Sequence, residues 1–184
     1  MVVTDDPALA ERCRALRNLC FRAERRFVHE ELGWNYRMTN LQAALGVAQL
    51  ERLADFVQRK RAMGARYNEL LSGTPGLELS PARATYADSI YWVYGMILDE
   101  RVGVDADVVT ARLSECGVGT RPFFWPIHEQ PVFLKRGWYT RERYPVAERM
   151  ARRGFYVPSG LGLKPGDQER VAETVRAVVS EFII

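Results

Sequence analysis

The feature that most constrains this chain is the stretch 29–53, HEELGWNYRMTNLQAALGVAQLERL. A polar and aromatic knot, Gly33-Trp34-Asn35-Tyr36-Arg37, runs directly into a helix start. Thr39 with Gln42 three residues later has the pattern of a capping box, in which each partner satisfies an N–H group of the other. Ala43, Ala44, Gly46 and Ala48 keep the first turns of that helix thin, so another backbone can approach closely. Leu41, Leu45, Ala48, Leu53, Val57, Met63, Tyr67 and Leu71 read as one apolar stripe, which predicts a single long helix from Thr39 to Leu71. A helix N-terminus carries partial positive charge and unpaired N–H groups, so an Asn amide and an Arg fork just ahead of it make a phosphate site chemically sensible. The plainer reading is a turn closed by Asn35, with Arg37 as surface charge. Anion-gripping groups set against a helix built for close packing fit a site shared between chains better than a stand-alone domain.

The remaining chain reads as alternating strands and helices. Residues 1–4 read as a short buried strand, followed by a helix capped at Asp5 or Asp6 with Pro7 in its first turn. A domain seldom opens on an inner strand, so the chain is expected to begin in mid-fold. Leu9, Cys13, Leu16 and Cys20 lie at helical spacing, which would turn both cysteines into one core. Residues 21–38 read as a loop. After the Gly and Pro punctuation of SGTPGLELSP, SIYWVYGMILDE reads as a strand and DADVVTARLSECG as a helix. VGTRPFFWPIH reads as a strand entering a proline-broken loop, ERYPVAERMARRG as a helix ending at Gly154, and the segment from Lys164 as a closing amphipathic helix. The expected class is α/β of the α+β kind, with helices on one face of a small sheet. Residues 1–60 and 61–184 are the expected domains, the boundary falling within the long helix.

Composition excludes several classes of function. The net charge is only +3, from 26 basic and 23 acidic residues, which does not suit a nucleic-acid-binding protein. Lysines number three (Lys60, Lys135, Lys164), and arginine supplies the rest of the positive charge. Three cysteines without a CxxC read as reduced and cytosolic. Two histidines, His29 and His128, without a His/Cys cluster leave no basis for a metal site. No apolar run reaches the ~18–20 residues of a membrane span, and residues 1–13 lack the pattern of a signal peptide.

Two further constellations stand out. In Thr120-Arg121-Pro122-Phe123-Phe124-Trp125-Pro126-Ile127-His128, two prolines fix a backbone from which three aromatics and an arginine project. That suits a platform for a sugar, a base or a pyrophosphate, and equally a set of core-filling aromatics. Tyr156-Val157-Pro158-Ser159-Gly160 reads as an ordinary loop after a helix. No catalytic centre is legible: there is no GxSxG, no P-loop, and no lysine in a small-residue loop suited to covalent catalysis.

Taken together, GWNYRMTNLQAALGVAQLERL, GVGTRPFFWPIHEQPVF and FYVPSGLGL resemble the DegT/DnrJ/EryC1/StrS family of pyridoxal-phosphate-dependent sugar aminotransferases, and the last two segments resemble its perosamine-synthase members. MVVTDDPALAERCRALRNLC resembles the strand and helix that follow the family's catalytic loop. The resemblance implies the C-terminal part of a fold type I transferase: the tail of the large domain, a long connecting helix, and a small α+β domain. It implies that the cofactor-bearing lysine, the acidic partner of the pyridine nitrogen and the aromatic that stacks on the ring lie upstream of this sequence, so that the chain has no catalytic residue of its own. By the same resemblance Asn35 reaches the phosphate of pyridoxal 5'-phosphate in a neighbouring subunit, with Arg37 close to that charge. Arg121, Trp125 and His128 would lie beside the nucleotide-sugar. The implied reaction converts a 4-keto-6-deoxy sugar nucleotide to the 4-amino sugar with glutamate as donor, in a cytoplasmic homodimer that contacts neither nucleic acid nor membrane. The alternative is a non-catalytic binding or dimerisation module derived from the same family.

Overall fold

Asp6 starts the first helix, α1 (Pro7–Arg17): its carboxylate accepts from the Ala8 and Leu9 N–H groups at 2.8 and 3.2 Å, and proline stands at the first helical position. The computed structural model describes residues 2–140 and 142–184, in two compact units, Met1–Leu53 and Ala54–Ile184. Val2 to Thr4 form no strand, contrary to the sequence expectation, because no described strand lies beside them to take their backbone hydrogen bonds; Met1 falls outside the described residues.

The chain leaves α1 through a left-handed turn, Leu19 at φ 60° and Cys20 at φ 50°. Cys20 is therefore not on the helix with Cys13. Its thiol donates to the Leu32 carbonyl at 3.4 Å, and it is buried while Cys13 is half-buried. The returning segment stitches this turn in place: Trp34 N–H donates to Leu16 O, Leu19 N–H to Trp34 O, and Tyr36 N–H to Arg17 O. Gly33 makes the crossing possible, since a Cβ there would lie 2.5 Å from the Leu19–Cys20 backbone. The expected loop 21–38 is thus pinned at its far end.

The predicted long helix is two helices, α2 (Asn40–Glu51) and α3 (Leu53–Leu71), with Arg52 at φ −104°, ψ 4° between them. The apolar stripe is itself not one face, although only the first of its two misfit steps spans the break. A helix turns ~100° per residue, so the five-residue step from Ala48 to Leu53 and the six-residue step from Val57 to Met63 each leave the starting face. The halves do different work: α2 buries nothing within its unit, whereas α3 buries Met63, Gly64, Tyr67 and Leu71.

The second unit is built on an antiparallel sheet in the order β1-β4-β6-β5. Its strands are β1 (Leu77–Leu79), β4 (Tyr94–Leu98), β5 (Arg121–Pro122) and β6 (Gly154–Val157), and a separate hairpin joins β2 (Arg83–Ala84) to β3 (Ala87–Asp88). Leu77 faces Leu98, Tyr94 faces Val157, and Arg121 faces Tyr156. The helices are α4 (Ala106–Glu115), α5 (Pro131–Leu134), α6 (Pro145–Arg153) and α7 (Pro165–Ser180), the last three each opened by proline. Apolar residues at helical spacing, Val109 and Leu113 from α4 and Val171, Val175 and Val178 from α7, close on Tyr94, Met96, Leu98 and Phe155 of the sheet and on Tyr67 and Leu71 of α3. This is the mixed α/β class read from the sequence.

Two corrections follow in this unit. The aromatic strand is shorter than its sequence, because Tyr91 takes φ 47° and lays its ring on Gly64, where a Cβ would sit 2.4 Å from the ring. Tyr156 and Val157 do not open a loop: α6 passes straight into β6 at Gly154, and the segment pairs on both sides before leaving the sheet.

Candidate functional site

In the first unit, the Asn35 backbone bridges to Asn18, which fixes the knot just ahead of α2. The capping box forms: Gln42 N–H donates to Thr39 Oγ1 at 3.3 Å, and Thr39 N–H to Gln42 Oε1 at 2.9 Å. The box thus consumes part of the anion-attracting capacity of this helix end. Asn35 and Arg37 are exposed, and neither the Asn35 amide nor the Arg37 guanidinium has a hydrogen-bond or ion-pair partner among the described residues. Trp34 and Tyr36 stack beside them with ring centroids 6.4 Å apart. An amide donor and a guanidinium, both unspent, fit a phosphate chemically.

In the second unit, Arg121, Phe124 and Trp125 line a cavity of ≈ 760 Å³, with Asp107 and Thr110 of α4 and Arg152 of α6 on other walls. The three consecutive aromatics divide their labour. Phe123 lies on the bare backbones of Gly95 and Gly154, where a Cβ would come within 2.7 and 2.3 Å of its ring. It anchors the loop to the sheet. Phe124 and Trp125 project instead, 73% and 48% exposed. Arg121 and the Glu129-paired Arg152, on a mostly apolar wall that Asp105 and Asp107 also line, suit a ligand with both a flat ring and negative charge.

His128 is placed elsewhere. It is 8% exposed, does not line the cavity, and directs Nε2 toward Glu148 Oε1 at 3.2 Å. Glu148 also accepts from Arg143 Nε and Nη2 at 3.1 and 3.0 Å and from the Tyr144 N–H at 2.9 Å. The Arg143 fork above all, then the Tyr144 amide, holds this carboxyl down at about 2. One turn further on, Arg152 reaches both oxygens of Glu129 at 3.0 Å and places its guanidinium 5.0 Å from the centre of the Trp125 ring. The donor atoms of His128, Glu129 and Glu148 lie within 4.8 Å of one another, a grouping that could hold a metal and that the sequence did not reveal. Both carboxylates are already met by arginine forks, so the cationic position is filled by guanidinium groups.

The three lysines stand in separate settings. Lys60 Nζ donates to the Ser159 carbonyl at 2.5 Å, and burial lowers its pKa. With Arg59 on Leu161 O (2.9 Å), the Tyr67 hydroxyl on Pro158 O (2.7 Å) and the Tyr94 N–H on Ser159 Oγ (3.2 Å), it ties the segment after β6 to α3 and β4. Lys164 stands at the start of α7, and Lys135 is exposed. Arg152 and Glu148 escaped the sequence reading. Their signal was the i, i+4 spacing of a carboxylate and a guanidinium on one face of α6, which is common on solvated helices. Asp107 and Thr110, on the α4 wall, carried no signal.

Residues 1–176 match the DegT/DnrJ/EryC1/StrS aminotransferase family. The chain is similar to GDP-perosamine synthase of Vibrio cholerae, 31% identical over 176 residues, which cover 96% of this chain and 47% of that protein. Among solved structures, it resembles the aminotransferase TlmJ from Streptoalloteichus hindustanus with a TM-score of 0.82 at 30% identity, over 96% of this chain and 46% of TlmJ. It resembles DesI, determined in the presence of its TDP-sugar product, with a TM-score of 0.81 at 30% identity, over 97% of this chain and 44% of DesI. The chain spans about half the length of the relatives it matches. Among the described residues, no helix is long and apolar enough to cross a membrane.

Proposed function

From the premise that this chain belongs to the DegT/DnrJ/EryC1/StrS aminotransferase family, whose sugar aminotransferases share its mixed α/β fold, we propose that it is the C-terminal portion of a nucleotide-sugar aminotransferase. The reaction is the conversion of a 4-keto-6-deoxy sugar nucleotide to the 4-amino sugar, with glutamate as donor, in a cytoplasmic homodimer. The observation that carries the reading is the match of residues 1–176 to the family, together with a match of 96% of the chain to 47% of a GDP-perosamine synthase. Residues 1–60 are the tail of the large domain and residues 61–184 the small domain.

Bound pyridoxal phosphate supplies the electron sink and carries the amino group between donor and sugar. This chain's part is to hold and orient. The Asn35 amide would donate to the cofactor phosphate of the neighbouring subunit, and Arg37 would neutralise charge beside it; both side chains are unspent among the described residues. Arg121 meets negative charge on the nucleotide-sugar, and Trp125 offers its exposed ring face to a flat or sugar ring. His128 serves this site from behind, since it is buried against Glu148. The lysine that bonds the cofactor comes from sequence preceding residue 1. In support, Lys60 is tied to a backbone carbonyl.

Two experiments test this. The DNA upstream of the first codon should encode, in frame, a glycine-rich segment bearing a lysine; its absence overturns the reading in favour of a non-catalytic module. Titration of the chain with pyridoxal phosphate should give no visible absorbance band that borohydride fixes. A fixed band on Lys60, Lys135 or Lys164 contradicts the assignment of the cofactor lysine to preceding sequence.

A further inference from the structure

The loop that forms one wall of the cavity has few ties of its own. Phe123 is bonded to the sheet through its N–H, which donates to Gly154 O at 3.2 Å. Beyond it, the short 3₁₀ turn Ile127–Glu129 closes on itself, Glu129 N–H donating to Pro126 O and Gln130 N–H to Ile127 O. Among the described residues, the side-chain hydrogen bonds from this turn go to α6, while Gln130, which closes the turn, also caps α5. His128 meets Glu148 from within the turn, its ring edge-on to Tyr144 with centroids 4.8 Å apart. Glu129 meets Arg152, and Arg152 lies over Trp125. Glu148 and Arg152 are one helical turn apart, and Arg152 Nη1 also donates to the Glu148 carbonyl at 3.2 Å.

We propose that Glu148 is the positioning residue that sets the Trp125 wall of the cavity, acting through His128 and the 127–129 turn. The inference rests on the assignment of this cavity to the nucleotide-sugar. Glu148 does not line the cavity, so it touches no ligand there. Its carboxylate gathers three groups, the Arg143 fork, the Tyr144 N–H and the His128 ring, of which the His128 ring belongs to the cavity loop. A hydrogen bond between two nearly buried side chains holds a fixed geometry that an exposed pair does not, because water competes poorly for it. Loss of the carboxylate therefore removes the turn's buried tie, leaves the more exposed Glu129–Arg152 pair, and loosens the neighbouring tryptophan, while the sheet and its core remain.

The test uses the chain with Trp34, Trp92 and Trp138 replaced by phenylalanine, so that Trp125 is the sole indole, and measures quenching of its fluorescence by acrylamide. Trp125 is 48% exposed, so release of the loop should raise the quenching constant roughly twofold in Glu148→Ala. His128→Ala should raise it equally, and His128→Gln, which keeps a donor near Glu148, should restore the parent value. Thermal melts run alongside separate local release from global loss. Unchanged quenching in both alanine variants, with lowered melting temperatures, overturns the proposal and leaves Glu148 a purely structural residue. If Glu148→Ala does not fold, the His128 pair decides alone, since it leaves the Arg143 and Tyr144 contacts in place. No ligand enters the measurement, so its failure is distinct from failure of the nucleotide-sugar reading.

Discussion

The two units of this chain use similar proportions of apolar sequence in opposite ways. In Ala54–Ile184, Tyr67, Tyr94, Met96, Leu98 and Phe155 are fully buried and packed by three helices around one sheet. In Met1–Leu53, Cys20 is the one described hydrophobic residue that is buried, while Trp34, Tyr36, Met38, Leu41, Leu45 and Leu50 face outward. Solvent exposure of so many large side chains on one short unit marks a surface meant to be covered. The contrast teaches where each kind of information lies. The second unit encodes its own stability, and the first encodes contacts that its own residues do not satisfy.

Substitutions should break this contrast to different degrees. The largest effect is expected from Phe155→Ala, which empties a fully buried site in β6 and should cost about 3–5 kcal/mol in chemical denaturation of the second unit. Arg153→Met should follow, at about 2–3 kcal/mol. Its guanidinium, nearly buried, donates to the carbonyls of Leu98, Asp99, Val102 and Val104, and methionine leaves all four without that partner.

A smaller effect, visible only against pH, should come from Glu148. Its carboxyl is held below the ordinary value of 4.5, at about 2, chiefly by Arg143. A lowered folded-state value means the contribution is fully present above pH ~4.5 and is lost as pH falls toward ~2. Melting temperatures of Glu148→Gln should therefore fall less steeply than those of the parent across that window, and parallel curves would contradict the assignment. The smallest effect belongs to the first unit. Leu45 is 72% exposed, so Leu45→Ala should change the stability of the unassociated chain by less than about 0.5 kcal/mol.

Much of the second unit was legible because its helices announce themselves by proline starts and regular apolar spacing, as in Val171, Val175 and Val178. The capping box at Thr39 was legible for the same reason: it is local chemistry. What failed was continuity. The stripe from Leu41 to Leu71 reads as one face only if two steps off the helical period are passed over, and the helical spacing of Cys13 and Cys20 does not display the left-handed turn that takes Cys20 off α1. At the site, Arg121 and Trp125 were found as a motif and share the cavity wall. The burial of His128 depends on Glu148, which is distant in sequence and sits on another element, and no single stretch displays such a pair.

The proposed homodimer would cover the exposed face of α2 and the knot before it with a second copy of the chain. Light scattering across a concentration series measures this directly, comparing the parent with Leu45→Glu and Ala44→Arg. The expected result is a mass above the monomer for the parent, rising with concentration, and a monomer for both variants with the melt of the second unit unchanged. A parent that stays monomeric at every concentration, with both variants indistinguishable from it, would contradict the claim and remove the structural support for Asn35 in a shared site.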